Sequence, residues 1–329
     1  MAVKLTNKLC TILKFSILEK FLTFFYMHNL KTNFEKIRRI CKSVLAKYLY
    51  ADGNLERYRN KPRMNDLDII ALSLTAEALG IDSENYLYGK IKSDYPQYFS
   101  QLPDRSNYNR RKRRMQRYIP WVSESIAGII DPEADRYILD SIPVPVCQPV
   151  RANRAAICRE DPTVYPSRGY HASHRLHYYG FKMQLVISRS GVPVHFGITA
   201  ANVHDVNYLQ WMNETQLTDC ELVADKGYLS LGYQTSLFEE SRIRLVTPLR
   251  ANMKNRLSEW NAGYRYARKR IETLFSQLCD QLMLKRNYAK TLDGLFTRLC
   301  AKISAVAVLQ YTNFLNNRNI NRLKHALAV

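Results

Sequence analysis

The segment RYILDSIPVPVC, at residues 136–147, places an aspartate inside an otherwise apolar run. Its aliphatic and β-branched side chains are typical of a buried β-strand, yet Asp140 lies near its centre. A carboxylate that is removed from water among aliphatic side chains is unfavourable by several kcal/mol unless a partner or an ion compensates its charge. The segment therefore predicts either a cation beside Asp140 or a turn, begun by Ser141 and Pro143, that the carboxylate caps.

Two further acids lie at positions from which they would approach Asp140. Asp225 follows the apolar residues of LVADKGY and lies in a strand predicted over residues 220–230, and open α/β sheets place their ligand sites outside the carboxyl ends of strands. Glu272 borders the apolar stripe of a helix predicted to begin near Gly263. Three converging carboxylates repel one another and raise each other's pKa unless cations neutralise them.

Carboxylate oxygens in such a group suit Mg²⁺ or Mn²⁺, and two such ions about 4 Å apart stabilise both the attacking and the leaving oxygen of a phosphoryl displacement. The order of Asp140, Asp225 and Glu272 on two strands and a helix favours such a site. Each acid also has a structural interpretation, since Asp225 is placed to begin the DKGY turn and Glu272 to pair with Arg268 at i, i+4. Asp205, in ANVHD, is a rival for the second acid, although its place before a predicted helix favours an N-cap.

The charge balance indicates the kind of partner. The chain carries 49 lysines and arginines against 29 aspartates and glutamates, a formal net charge of +20, and nucleic acid is the commonest partner of so basic a protein. The segment 105–117 has seven basic side chains and no acid, which favours DNA contact over a solvated face of mixed charge. The candidate DNA contacts are Arg105, Arg110, Arg111, Lys112, Arg113, Arg114 and Arg117, with Lys182, Lys226, Arg265 and Arg268 as further candidate phosphate contacts.

Hydrophobic periodicity predicts an α/β chain in which helices precede a mixed sheet. Residues 27–134 are predicted to be a helical DNA-binding region with a helix over 67–80, residues 135–315 a mixed sheet flanked by helices, and residues 316–329 a basic tail. In the sheet region we predict a strand at 136–147, a polar basic stretch at 148–177, a hairpin over 178–201 that turns at Ser190 and Gly191, a helix at 204–218, strands at 220–230 and 243–250, and helices from 263 and at 293–315.

The first residues are interpreted as an extension. CTILKFSILEKFLTFFY, at 10–26, is apolar, but Lys14, Glu19 and Lys20 interrupt it before it reaches the roughly 18 apolar residues of a membrane span. Met27 is an alternative start, so residues 1–26 are predicted to lie upstream of the functional chain. The seven cysteines include no CxxC pair, which fits reduced thiols in a cytosolic protein.

A series of short motifs resembles the DDE transposases of bacterial insertion sequences, and among these the insertion sequence 982 family. The N-terminal half carries LSLTAEALGIDSEN and NYNRRKRR, followed in order by LDSIPVPVC, YYGFKMQL, ITAANVHD, VADKGY, TPLRANMK and RKRIETLFSQL. Each motif is weakly specific, whereas their order is specific. The resemblance covers roughly residues 27–315.

The resemblance implies a ribonuclease-H-like catalytic domain preceded by an all-helical DNA-binding region. It assigns Asp140, Asp225 and Glu272 as the catalytic triad that binds two Mg²⁺ or Mn²⁺ ions. Water would hydrolyse a phosphodiester at the transposon end, and the exposed 3′-hydroxyl would attack target DNA. The implied partners are double-stranded DNA, as inverted repeats and target, and a second copy of the chain, with no membrane and no small-molecule cofactor, in the bacterial cytoplasm at the nucleoid.

The sequence departs from a related transposase signature in which a tyrosine, an arginine, the glutamate and a lysine follow the spacing Y-x2-R-x3-E-x6-K. Arg268 and Glu272 fit it, but the tyrosine position holds Arg265 and the lysine position holds Cys279, so the roles of that tyrosine and lysine do not transfer. Two other functions remain open from the residues. One is a ribonuclease-H-like nuclease without strand transfer, and the other is a catalytically inactive DNA-binding remnant.

Two further patterns are disfavoured. His171, His174 and His177 have a spacing that would suit zinc, but the nearby cysteines are isolated and the surroundings are basic, so a basic loop at the DNA is the better interpretation. Tyr311 would be a nucleophile only in a tyrosine recombinase, and the chain has no paired Arg-His-x-x-Arg near it.

Overall fold

A computed structural model describes residues 29–172, 175–250, 253 and 260–327. The predicted extension at 1–26 and the alternative start at Met27 lie outside the described residues. Within the described part of the chain, no helix combines the length and the apolar character needed to cross a membrane.

The N-terminal half is helical wherever regular structure is described before residue 131. Its α-helices are α1 (Leu30–Val44), α2 (Asp66–Ala78), α3 (Glu84–Asp94), α4 (Arg105–Arg114) and α5 (Ile119–Ile130). The predicted helix over 67–80 corresponds to α2, which begins where the Asn65 side chain accepts a hydrogen bond of 2.8 Å from the backbone N–H of Asp68. It ends at Ala78 because Gly80, at φ +66°, reverses the chain in a Schellman motif, in which the Ile81 N–H donates to the Ala76 carbonyl.

The described residues then form a mixed sheet of six strands. These are β1 (Arg136–Cys147), β2 (Ser167–His171), β3 (Leu176–Ser188), β4 (Pro193–Ala200), β5 (Glu221–Ala224) and β6 (Arg244–Val246). On one side, β3 runs antiparallel to β1, and its far edge pairs with β4 and then with β2. On the other side, β5 runs parallel to β1 and β6 parallel to β5. The strand over 136–147 and the hairpin that turns at Ser190 and Gly191 are confirmed.

Among the described residues, three α-helices complete the sheet region, namely α6 (Leu231–Ser241), α7 (Ala262–Asp280) and α8 (Leu292–Leu315). The helices predicted from 263 and at 293–315 are therefore confirmed. The α-helix predicted at 204–218 is wrong, because Asp205–Glu214 is a 3₁₀ segment whose first residue is tied to β3 by a tertiary ion pair.

Two strands are shorter than predicted, and one was missed. The strand at 220–230 is only Glu221–Ala224, because Asp225 caps a 3₁₀ turn, and the strand at 243–250 ends at Val246, two residues before Pro248, which has no N–H for the ladder. β2 lies within the stretch 148–177, where local sequence is polar and pairing with β3 decides the structure.

The two faces of the sheet carry separate apolar clusters. Ile138 and Ile142 of β1 join a core that also contains α1, α2, α5, α7 and α8. Leu139 faces the other way, into a smaller cluster with residues of the 3₁₀ segment and α6. The boundary predicted at residues 134 and 135 therefore separates elements that share one apolar core.

A buried ion pair joins the N-terminal helices to α8. The ammonium of Lys302, which is fully buried, donates to the Glu77 carboxylate of α2 and, at 2.5 Å, to the Leu282 carbonyl. The Arg298 Nε lies 3.7 Å from the same carboxylate. Because both partners are removed from water, loss of one would leave an uncompensated charge in the core.

We expect Lys302→Ala to destabilise the protein by about 3–5 kcal/mol, because Glu77 would lose its closest cation in a buried site. Urea unfolding of the full chain measures the change, with Lys269→Ala, at an exposed lysine of α7, as the control that leaves stability nearly unchanged. The double variant Glu77→Gln with Lys302→Met removes both charges and should recover most of the loss. Equal stabilities of Lys302→Ala and wild type would contradict the role of the ion pair.

Candidate functional site

Asp140 lies in the middle of the central strand. It pairs with Leu185 of β3, and the alternation of the strand directs its side chain to the face that bears Ile138 and Ile142. Its side chain is 17% exposed, and Oδ1 accepts a hydrogen bond of 2.8 Å from the Ser141 N–H. β1 continues without a turn as far as Cys147, so the alternative in which Asp140 caps a turn is wrong.

Asp225 follows the last residue of the neighbouring strand. Leu139 of β1 pairs with Ala224 of β5, so Asp140 and Asp225 are the next residues on two adjacent parallel strands. Asp225 also caps the turn Lys226–Tyr228, and its Oδ1 accepts a hydrogen bond of 2.7 Å from the Lys226 N–H. Asp225 therefore both caps the turn and lies beside Asp140, so the two interpretations are compatible.

α7 brings the third acid and a cation to the same place. The buried stripe of the helix packs on the core face of the sheet through Ile271, Leu274, Phe275 and Leu278. Arg268 lies beside this stripe. Its Nη2 is 3.3 Å from Asp140 Oδ2 and 3.5 Å from Glu272 Oε1, and its Nη1 is 3.3 Å from Asp225 Oδ1.

One guanidinium therefore contacts all three predicted carboxylates. The pKa of Asp140 is raised to about 6, chiefly by burial and to a smaller extent by the charge of Asp225, although the Arg268 guanidinium and the Ser141 N–H oppose both effects. The positive charge that lies beside Asp140 among the described residues is that of Arg268, whereas the predicted cation was a divalent metal ion. The predicted i, i+4 pair of Arg268 and Glu272 is also present.

The donor chemistry suits a hard divalent cation, since all three side chains supply carboxylate oxygens. Arg268 lies among these oxygens, and the described residues include no group of three or more His, Cys, Asp or Glu side chains spaced to hold a metal ion. The acids therefore fit such an ion by charge and ligand type, while their spacing is set around the guanidinium.

The remaining predicted phosphate contacts divide between two faces. Lys226 and Arg265 are exposed, on the Asp225 turn and one turn of α7 before Arg268, and neither makes an ion pair with a described residue. Lys182 pairs with Pro143 in the ladder and so points to the face opposite the Asp140 side chain, where its Nζ lies 2.6 Å from Asp205 Oδ1. The structure does not bring Lys182 to the three carboxylates.

The basic segment 105–117 is partly neutralised by acids from other elements. Arg111 Nη2 lies 2.5 Å from Asp66 Oδ1, and Lys112 Nζ lies 2.7 Å from Glu84 Oε1. Arg114 and Arg117 both pair with Glu56. Four of the seven basic side chains are therefore ion-paired, and the cations that are exposed and make no ion pair with a described residue are Arg105, Arg110 and Arg113.

Sequence reasoning missed a polar cluster beside the site. Asp205 is not an N-cap, because the cap position is His204, and its carboxylate instead accepts from Lys182 and, at 3.1 Å, from Gln184. Gln184 also accepts a hydrogen bond from Tyr228. The signal was available, since Gln184 interrupts the apolar strand FKMQLVI as Asp140 interrupts its own strand.

The disfavoured patterns find no support among the described residues. His171 and His177 take part in no described cluster that would hold zinc, and His174 lies outside the described residues. Tyr311 lies within α8 and stacks on Phe314, as expected for a packing residue.

Residues 132–289 match a family model described as a transposase DDE domain. The matched segment contains all three acids and Arg268, and the mixed α/β sheet is compatible with such a domain. The match supports a DDE transposase, an enzyme class that acts on nucleic acid. A comparison with curated proteins and one with solved structures each found no match.

We expect Arg268→Ala to destabilise the protein by about 2 kcal/mol at pH 8, because three carboxylates lose their shared charged donor. The pKa of Asp140 is raised on folding from 3.8 to about 6, so ionisation of this carboxyl lowers stability as the pH rises through that range. The loss on removing Arg268 should thus be larger at pH 8 than at pH 5.

Urea unfolding at the two pH values measures this difference. Arg265→Ala, which removes an exposed arginine from the same helix, is the matched control and should change stability little at either pH. An equal effect of the two substitutions at pH 8 would show that Arg268 does not compensate the carboxylates.

Proposed function

We propose that this protein is a DNA transposase that hydrolyses a phosphodiester at the transposon end and then transfers the 3′-hydroxyl into target DNA. The observation that carries the proposal is the convergence of Asp140, Asp225 and Glu272, from two adjacent strands and a helix, on the single guanidinium of Arg268. The three acids lie within the segment that matches a transposase DDE domain.

The sheet topology supports the ribonuclease-H-like part of the proposal. The order β4-β3-β1-β5-β6, in which β3 alone runs against the others of that path, places the two aspartates on neighbouring strands. β1 extends well beyond Asp140 and so holds this carboxylate rigidly. Membership of the insertion sequence 982 family rests on the motif order, and action as a homodimer remains a prediction from the need to handle two ends.

The proposed roles follow from the contacts. Asp140, Asp225 and Glu272 would hold two Mg²⁺ or Mn²⁺ ions, which when bound supply an activated water and charge stabilisation at the phosphate. Arg268 neutralises the carboxylates in the described state and carries donors suited to a DNA phosphate. Lys226 and Arg265, both exposed, are placed to contact the backbone of the bound strand.

We assign DNA binding to the cations of α4 that make no ion pair with a described residue. Arg105 and Arg113 line an open cleft of about 760 Å³ together with Lys290, which precedes α8. The lining also includes Lys112 and Arg298, which are ion-paired, and the acids Asp82 and Glu84. The three cations that make no ion pair with a described residue are suited to a sugar–phosphate backbone. Cysteine at position 279 is half-buried against the core, so it supplies no phosphate contact in place of the lysine of the related signature.

We expect Asp140→Ala to reduce cleavage at least about 100-fold while DNA affinity stays within about twofold, because the carboxylate acts on the reacting phosphate and not in the grip. The assay uses duplexes made from the DNA that flanks the gene, with Mg²⁺, and Glu239→Ala, at an exposed acid of α6, as control. Unchanged cleavage by Asp140→Ala would refute the triad.

A pre-cleaved transposon end, incubated with a supercoiled plasmid, tests the second step. Joining of the 3′-hydroxyl to the plasmid supports a transposase, whereas cleavage without joining indicates a ribonuclease-H-like nuclease. DNA binding with neither reaction indicates an inactive DNA-binding remnant.

We expect the double variant Arg105→Ala, Arg113→Ala to weaken DNA binding and to lower the slope of log affinity against log salt by about 2, because each free cation contacts one phosphate. The double variant Arg114→Ala, Arg117→Ala is matched in charge, but its arginines are paired with Glu56, so it should lower the slope less. Fluorescence anisotropy over a salt series measures both. Equal slopes for the two variants would remove the distinction between paired and free cations.

A further inference from the structure

A partly buried polar network lies on the sheet face opposite Arg268. We call Lys182, Gln184, Asp205 and Tyr228 the Asp205 network. Asp205 Oδ1 accepts hydrogen bonds from Lys182 Nζ at 2.6 Å and from Gln184 Nε2 at 3.1 Å, and the Tyr228 hydroxyl donates to Gln184 Oε1. Gln184 is fully buried and Tyr228 is 1% exposed. Gln184 thus depends on Asp205 and Tyr228 for its side-chain hydrogen bonds, since water does not reach it.

Two members of the network, Gln184 and Tyr228, lie beside the two aspartates. Gln184 pairs in the ladder with Ser141, the residue that follows Asp140. Tyr228 closes the turn that begins at Asp225, because its N–H donates to the Asp225 carbonyl at 3.0 Å. The network therefore connects the strand position next to Asp140 with the turn that carries Asp225.

Asp225 needs such a connection because the sheet stops short of it. The pairing of β1 with β5 ends at Leu139 and Ala224, and the following residues Lys226 and Gly227 are exposed. Backbone ladder hydrogen bonds therefore do not hold the turn against β1. The ring and hydroxyl of Tyr228 are the buried part of this turn.

The other end of the network is also held in place. A Cβ at Gly197 of β4 would lie 2.7 Å from the Tyr208 hydroxyl, so the glycine makes room for Tyr208 to pack directly on the sheet. Tyr208 belongs to the same 3₁₀ segment as Asp205 and is 3% exposed. This close packing fixes the start of the segment, and with it the Asp205 carboxylate, over β3.

We propose that Asp205 and Tyr228 are positioning residues that hold Asp225 at its working distance from Asp140. This inference rests on the proposed function, in which those two carboxylates share metal ions. Lys182 then acts by holding Asp205 and not by contacting phosphate. Asp205, the rival for the second acid in the sequence, supports the second acid instead.

The test compares two tyrosine-to-phenylalanine substitutions in the same apolar cluster. Tyr228→Phe removes the hydroxyl that bonds Gln184. Tyr208→Phe keeps the ring that packs on Gly197 and removes only a buried hydroxyl that has no hydrogen-bond partner among the described residues. We expect Tyr228→Phe to weaken Mn²⁺ binding, measured by electron paramagnetic resonance, and to lower kcat for end cleavage, each about tenfold. Its KM for DNA should be unchanged, and Tyr208→Phe should match the wild type in all three quantities.

A second pair of variants tests the Asp205 network at Asp205 itself. Asp205→Ala should reproduce the loss of Mn²⁺ affinity, whereas Asp205→Asn retains an oxygen that accepts from Lys182 and Gln184 and should recover part of it. If Tyr228→Phe matches Tyr208→Phe in Mn²⁺ affinity and kcat, or if Asp205→Ala binds Mn²⁺ as the wild type does, the positioning role is overturned.

Asp225→Ala separates this inference from the proposed function. If Asp225→Ala abolishes Mn²⁺ binding and cleavage while Tyr228→Phe leaves both unchanged, the inference fails and the proposed function stands. If Asp225→Ala retains wild-type Mn²⁺ binding and cleavage, the proposed function itself fails, and the inference fails with it.

Discussion

The structure of the site depends on the compensation of three carboxylates by the guanidinium of Arg268. Asp140, Asp225 and Glu272 come from three elements, and without a cation their mutual repulsion would oppose the packing of α7 on the sheet. The guanidinium of Arg268 lies close to one oxygen of each acid. The helix that carries Glu272 therefore also carries the positive charge that compensates the three carboxylates. The same group of oxygens suits the divalent ions of the proposed reaction.

Rigidity of the site follows from one shared core. The apolar face that bears the Asp140 side chain packs against helices from both halves of the chain, and the buried pair of Glu77 and Lys302 ties α2 to α8 within it. Only part of the net charge of +20 is available to a partner, since some cations of the basic helix α4 form ion pairs that hold helices together. Arg105, Arg113 and Lys290 line the open cleft without an ion pair to a described residue, so they are the cations available there to a polyanion.

The alternation of β1 and β3 separates two tasks onto two faces. One face carries the acids and Arg268, and the other carries Gln184 and Lys182, which hold Asp205. In the sequence, each of these two polar clusters corresponds to a polar residue inside an apolar strand, Asp140 in one case and Gln184 in the other. A buried polar residue is unfavourable without a partner, so each marks a place where the fold supplies one.

The sequence by itself determined the long elements and pointed to Asp140, Asp225 and Glu272 as acids that converge, because periodicity, caps and an ionisable group in an apolar strand are local signals. β1, the β3–β4 hairpin, α7 and α8 were predicted for this reason. Only the tertiary structure decided which strands and which charged residues pair with one another. β2 exists only through its pairing with β3, and Lys112 and Arg117 are neutralised by acids 28 and 61 residues away. No local pattern encodes such a distance, since contacts between distant residues form only when the packed elements bring them together.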